Sequence, residues 1–256
     1  MNRHVFIAGT DTEVGKTRLS SAIVTWLNRS GYRAVGMKPV AAGSRPGADG
    51  PVNDDALALL ACSAPGLHYA DINPCLLDAP TSPDIAARIS GVELTLEPIT
   101  RAFAACSAAA DVVVVEGIGG WRVPLGRQLQ SADIVRQLDL RVILVCGIRL
   151  GGISHALLSA EVIVADGFEL CGWIANIIDP DYVYADESIA SLDARMPAPL
   201  LGIQPWLPHN DPAIDPQLAS GLRRVQPWQP QNDTGTIDPQ LATGLRRLWP
   251  QAQGTI

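Results

Sequence analysis

The chain has 256 residues, 47% of them apolar and 18% charged, with 26 acidic against 19 basic side chains for a formal charge of -7. That is the composition of a globular protein, long enough to bury a core without disulfide or metal staples. The acidic balance argues against a nucleic-acid partner or a membrane-binding face, though not against a local anion site, because backbone N–H groups and one or two lysines bind phosphate inside acidic proteins.

Residues 4–8 read as a buried strand, and no apolar run is long enough for a signal-peptide core or a membrane span. The segment Gly9-Thr-Asp-Thr-Glu-Val-Gly-Lys-Thr17 follows this strand and opens a helix over 15–29, whose Leu19, Ile23, Trp26 and Leu27 share a face until Gly31 ends it. Glycines let a backbone curl around an anion, and the loop N–H groups and helix N-terminus supply partial positive charge. Lys16 can reach β- and γ-phosphate oxygens, and the Thr17 hydroxyl can ligate Mg²⁺. Five residues rather than four separate Gly9 from Gly15, so this is a variant of the Walker A pattern. Its strand-loop-helix setting, more than its letters, points to nucleotide binding.

Residues 33–37 form a second strand, with Lys38 at its carboxyl end in Lys38-Pro-Val-Ala-Ala-Gly43. There it either neutralises an anion or is an ordinary surface lysine. Asn53-Asp54-Asp55 precedes a helix over 56–62. One aspartate is expected to cap that helix; the other completes an oxygen-ligand set for Mg²⁺ or also serves the helix start. A third strand over 111–115 ends in Glu116-Gly117-Ile118-Gly119-Gly120. A carboxylate at such a strand tip is what the metal side of a P-loop site requires, and the glycines admit a ligand close to the backbone.

Further strands are expected over 141–146, 170–178 and 200–203, with a helix over 156–165 closed by Gly167. Apolar β-branched runs alternating with helices predict an α/β fold. It should be a single-domain parallel sheet with helices on both faces, P-loop NTPase-like, binding ligands beyond the carboxyl ends of its strands. The five cysteines, at 62, 75, 106, 146 and 171, are odd in number and lack CxxC spacing. They read as reduced, mostly buried thiols, which places the protein in the cytoplasm.

From residue 208 the chain turns proline-rich, and the segment 214–224, Ile-Asp-Pro-Gln-Leu-Ala-Ser-Gly-Leu-Arg-Arg, recurs at 237–247 with Thr for Ser. Each copy has a helix start, with Asp215 or Asp238 as cap and Pro216 or Pro239 in the first turn. Residues 1–210 thus read as a P-loop domain and 211–256 as a proline-rich tail carrying a tandem duplicated helical segment. One copy is expected to pack as a terminal helix and the other to be surplus or disordered. Removal of 230–256 is expected to leave the rate unchanged, the first copy already supplying that helix.

Together these residues resemble the dethiobiotin synthetases. The likeness rests on GTDTEVGKT at 9–17, KPVAAG at 38–43, NDDALAL at 53–59 and TSP at 81–83. It continues through VEGIGGW at 115–121, VILVCGIRLGGISHALL at 142–158, GWIAN at 172–176 and APLLGIQPWL at 198–207. It implies an ATP- and Mg²⁺-dependent ligase. CO₂ or bicarbonate and 7,8-diaminononanoate would give a carbamate, which ATP phosphorylates before the second amine closes the ureido ring. Lys38 and Lys16 would be catalytic.

The resemblance also implies the contacts. The nucleotide would be held by Glu13, Val14, Gly15, Lys16, Thr17 and Arg18, by Asp55, by Glu116, Gly117, Ile118 and Gly119, and on the base side by Asn176, Ile177, Pro205, Trp206 and Leu207, with Asp211 the nearest match to a following acid. Mg²⁺ would sit on Thr17, Asp55 and Glu116. Thr12, Lys38 and Ala42 would face the substrate, whose carboxylate would be held by main-chain donors of Gly151, Gly152, Ile153 and Ser154 from the partner subunit of a homodimer. Where many relatives carry a hydroxyl residue this chain has Ala42, and Gly152-Ile153-Ser154 replaces the Cys-Ile-Asn of some.

The rival readings are a partition-type nucleotide switch, an amido-ligase of cofactor synthesis and a structural ATP-binding module. The first usually carries an extra lysine early in the loop, which Gly9-Thr10-Asp11 lacks; the second usually carries a glutamine-hydrolysing domain. The third would not need Lys38 and Thr12 on the substrate side of the phosphates.

Overall fold

The computed structural model describes residues 3–206 and 238–251. In chain order the described elements are β1 (Val5–Gly9), α1 (Lys16–Arg29), β2 (Ala34–Met37), β3 (Val40–Ala42), β4 (Arg45–Gly47), β5 (Gly50–Val52), α2 (Asp54–Cys62), α3 (Tyr69–Ile72), β6 (Cys75–Leu77) and α4 (Pro83–Ser90). They continue with α5 (Leu96–Ala109), β7 (Val112–Glu116), α6 (Ser131–Leu138), β8 (Arg141–Ile148), α7 (Gly152–Ala165), β9 (Leu170–Ile177), α8 (Ala185–Asp193), β10 (Leu200–Gln204) and α9 (Pro239–Leu245).

The main sheet runs β10-β9-β8-β1-β7-β2, every neighbouring pair parallel. Both faces are covered, so its strands have no polar alternation: Val112, Val113, Val114 and Val115 are all fully buried. Alternate side chains feed two cores. Val5 and Ile7 join Val112, Val114, Ile143 and Val145 beneath α1 and α9, while Phe6, Val113, Val115 and Leu144 pack beneath α5, α6, α7 and α8. Burying each such side chain is worth roughly 1.5–3 kcal/mol. The sheet order reverses around β1, and the crevice at that reversal lies at the carboxyl ends of β1 and β7.

The described terminal helix α9 is formed by the second copy of the duplicated segment. Its Leu241 and Leu245, with Trp249 beyond it, are fully buried on the α1 face. The first copy lies outside the described residues. All five thiols are free, and all but the half-buried Cys62 are buried. Burial pushes each of them up, Cys62 and Cys106 to about 12, which leaves no thiolate nucleophile at neutral pH. Among the described residues no helix is long and apolar enough to cross a membrane.

Candidate active site

The loop between β1 and α1 is shaped by two left-handed residues, Glu13 at φ 62° and Gly15 at φ 86°. At Glu13 this costs about 1–2 kcal/mol, which the surrounding contacts must hold. Those contacts come from the neighbouring strands. Asn176, at the tip of β9, donates through Nδ2 to the Val14 carbonyl at 2.8 Å, and a Cβ on Gly15 would run into that amide. Gly147 N of β8 donates to Thr10 Oγ1 at 3.3 Å, and Arg149 Nη2 pairs with Asp11 Oδ2 at 3.1 Å. Lys16 is buried at the start of α1, its Nζ donating to the Asp11 carbonyl at 2.8 Å. Burial, with Lys38 nearby, lowers its pKa to about 8 although Glu116, Asp55 and Asp11 oppose the shift. An ammonium with one carbonyl partner in such a place is short of negative charge, which a phosphate would supply.

Beneath the loop, three chain segments meet. Thr17 Oγ1 donates to Glu116 Oε1 at 2.7 Å. Lys38 Nζ donates to the same oxygen at 2.5 Å and to Asp55 Oδ2 at 2.9 Å. Lys38 is no surface lysine: it is 3% exposed and Glu116 1%. Burial lowers the Lys38 pKa, but the charges of Glu116 and Asp55 outweigh it and leave the ammonium held more firmly than in water. For Glu116 burial wins over Lys38 and the carboxyl is raised. For Asp55 burial acts upward, but Lys38 and Thr17 reverse it and the carboxyl is lowered.

Glu116 Oε2 is buried without a hydrogen-bond partner. Such an orphaned oxygen is costly unless something binds there. Beside the Thr17 hydroxyl and the Asp55 carboxylate it makes an all-oxygen donor set, the chemistry that suits Mg²⁺. With these three oxygen donors from the protein, the remaining ligands would be left to phosphate and water.

The acid-rich start of α2 corrects one expectation. Neither aspartate caps the helix; Asn53 does, its Oδ1 accepting from Asp55 N and Ala56 N at 3.1 and 3.3 Å. Asp54 pairs with Arg45 at 2.6 Å and Asp55 is freed for Lys38. Behind Lys38 lies a support that the sequence reading missed. Asn73 Nδ2 donates to the Lys38 carbonyl at 2.7 Å, Tyr69 Oη donates to Asn73 Oδ1 at 3.0 Å, and Asn53 N donates to Tyr69 Oη at 2.8 Å. One chain of bonds thus fixes the Lys38 backbone and the cap of the helix carrying Asp55. Short polar residues scattered over 53–73 give no periodic or spacing signal.

The glycines after β7 sit as close as their size allows. A Cβ on Gly117 would fall 2.7 Å from the Phe6 ring, and one on Gly119, at φ 61°, would lie 3.6 Å from Thr12 Oγ1. Thr12 and Gly119 are therefore neighbours at the mouth of the cluster, with Ile118 half-buried between. Ala42 ends β3, half-buried and paired with Leu77. Gly151, at φ 85°, turns the chain into α7; Gly152 is buried, Ile153 half-buried and Ser154 exposed. This turn is tied to the phosphate loop through Arg149 and Asp11. Ile177 ends β9, and Pro205 and Trp206 are exposed beyond β10. Leu207 and Asp211 lie outside the described residues.

A parallel sheet whose first strand feeds a glycine-bearing anion loop, with an acid on the adjacent strand tip, defines a P-loop nucleotide-binding protein. Solved structures agree on shape: the MinD cell division protein of Aquifex aeolicus aligns with a TM-score of 0.53 at 15% identity, covering 96% of this chain and 97% of its own. The Pyrococcus furiosus cell division ATPase MinD gives 0.52 at 15% identity over 97% and 100%. At that identity the likeness shows the fold alone.

A family model described as an AAA domain matches residues 3–213. An ATP-dependent dethiobiotin synthetase of Xanthomonas oryzae pv. oryzae is 50% identical over 208 residues, 81% of this chain and 93% of that protein. One of Aromatoleum aromaticum is 51% identical over 210 residues, 81% and 92% respectively. The chain belongs to the dethiobiotin synthetase family, ligases of biotin biosynthesis that form C–N bonds.

Proposed function

We propose that the cluster of Lys16, Thr17, Lys38, Asp55 and Glu116 carries out the family reaction on 7,8-diaminononanoate, CO₂ and ATP in the cytoplasm. The difficulty of that reaction is electrostatic. A carbamate anion must approach the terminal phosphorus of a polyanion, so positioning and positive charge do most of the work. The observation that carries the reading is the convergence of two buried lysines and two carboxylates below one anion loop.

Lys16 and the N–H groups of 13–18 bind the phosphates, and Lys38, reached past Thr12 and Gly119, holds the carbamate. Thr17, Asp55 and Glu116 hold Mg²⁺, which supplies charge neutralisation on the phosphate oxygens. Lys38 shares Glu116 Oε1 with Thr17 and also reaches Asp55, which holds its ammonium beside the place where Mg²⁺ would sit. Asn176, Ile177, Pro205 and Trp206 form the base side, where an amide and an apolar wall suit a purine.

Two copies of the chain complete the substrate site, with main-chain N–H groups from the run 151–154 at the start of the partner subunit's α7 receiving the carboxylate as at other helix starts. The test is phosphate release with ATP, Mg²⁺, bicarbonate and diamine, each omitted in turn. Release should require all four; release that continues without the diamine would assign the site to a simple ATPase.

A further inference from the structure

The segment that forms α9 has a near-copy elsewhere in this chain. Helix α9 lies with its backbone directly on β10. A Cβ on Gly202 would fall 2.6 Å from Leu241 Cβ, and one on Gly244 would strike the Leu201 backbone. Leu241, Ala242 and Leu245 fill the space above Leu19, Ile23 and Leu201. Asp238 Oδ1 caps the helix by accepting from Gln240 N at 2.8 Å.

Every one of these features recurs 23 residues earlier. Asp215, Leu218, Ala219, Gly221 and Leu222 stand where the cap, the three apolar contacts and the indispensable glycine stand in α9. The single difference within the eleven-residue repeat, Ser220 for Thr243, keeps a hydroxyl at an exposed position. The repeat is wider still, since Gln204-Pro-Trp206 ahead of the first copy returns as Gln226-Pro-Trp228 ahead of the second.

We infer that this groove accepts either copy, and that residues 214–224 of the same chain are its alternative occupant. Two opposing effects decide between them. The first copy is joined to Trp206 by 8 residues, the second by 31, a difference in loop closure that favours the first roughly eightfold. The second copy carries Trp249, which is 1% exposed and donates through Nε1 to the Arg3 carbonyl at 3.1 Å. The first copy has Gln226 at that position, and its own Trp228 comes two residues too late. Losing a buried tryptophan is worth on the order of a hundredfold or more, so the second copy wins. The tail thus keeps a spare for the helix that seals the α1 face, and Trp249 selects which copy is used.

Hydrogen exchange on the full-length chain tests this, because Ser220 and Thr243 give the two copies peptides of different mass. In the wild type, amides of 241–245 are protected and those of 218–222 are not. Trp249→Ala shifts protection from the second copy toward the first. Leu241→Asp with Leu245→Asp moves it fully, at least tenfold over the wild type in 218–222, with a partial loss of thermal midpoint. Adding Leu218→Asp and Leu222→Asp removes protection from both copies and lowers the midpoint much further. If 218–222 stay unprotected when the second copy is disabled, or the double variant is as unstable as the quadruple one, the inference is wrong. Protection that comes with an assembly larger than the wild type's would also overturn it, since the occupant would then belong to another molecule.

Discussion

Lys38 is a cation standing between two acids. Its ammonium compensates Glu116 and Asp55, and its own burial is tolerable only because they are there. Lys38→Ala should therefore abolish ring closure while leaving ATP affinity within a few-fold, since Lys16 and the loop remain. It should also destabilise the metal-free protein by about 3 kcal/mol, because two acids lose their counter-charge. Mg²⁺ should then raise the melting temperature of the variant more than that of the wild type. Turnover assays and thermal melts with and without Mg²⁺ check both; persistent turnover would remove Lys38 from the carbamate.

His4 adds a pH dependence of its own. His4 Nδ1 accepts from Val113 N at 3.0 Å, and burial lowers its pKa below 6.5. Below that value the unfolded chain binds the proton first, so stability is complete above about pH 6.5 and falls as pH drops toward the folded pKa. Replacing His4 by Asn, which keeps an acceptor, should flatten the stability profile as pH falls below 6.5 in denaturant titrations. The sequence revealed Lys38 through its place at a strand end, but its ion pairs are long-range, 17 and 78 residues away, and no local pattern encodes them.

Elements carry the site through their ends. Helix α2 matters for its first turn, where Asn53 takes over the cap and leaves Asp55 to aim at Lys38. Asn53→Ala should cost about 1 kcal/mol for the cap. It should also weaken Mg²⁺ binding by loosening Asp55, and titration of Mg²⁺ against nucleotide-bound protein would show it; unchanged affinity would mean that Asp55 is positioned by Lys38 alone. Asn73→Ala should lower kcat with ATP affinity unchanged, because it releases the Lys38 backbone without touching the phosphate loop.

The large elements were legible in sequence. β1, β7, β8 and β9 are runs of buried apolar residues, and α1 has large side chains at helical spacing. What stayed hidden has physical reasons. Strands β4 and β5 pair Pro46 against Pro51, residues that argue against strand. Helix α5 is filled largely by Ala, Cys, Ser and Thr, so its face is narrow and weakly periodic. β3 and β6 are three residues each, below what alternation can signal.

At the scale of the molecule, shape and chemistry separate. The fold matches MinD proteins at 15% identity, a likeness of shape alone, and under the proposed function the features that set the chemistry are Lys38, Thr12 and a second subunit. Leu150 and Leu158 are 78% and 59% exposed at and along the start of α7, and Val164 farther along is 48% exposed. Leu158, exposed on α7, with Leu150 exposed just ahead of that helix, marks an apolar face that a partner can cover. If that face is the dimer contact, Leu158→Arg should yield a monomer by sedimentation. ATP binding should stay within about twofold, because the phosphate loop, Lys16 and Asn176 belong to one chain. The KM for the diamine should rise at least tenfold, because the donors for its carboxylate come from the other chain. A monomeric wild type, or a monomeric variant with an unchanged KM, would place the whole substrate site within a single subunit and reassign the exposed face of α7 to something other than catalysis.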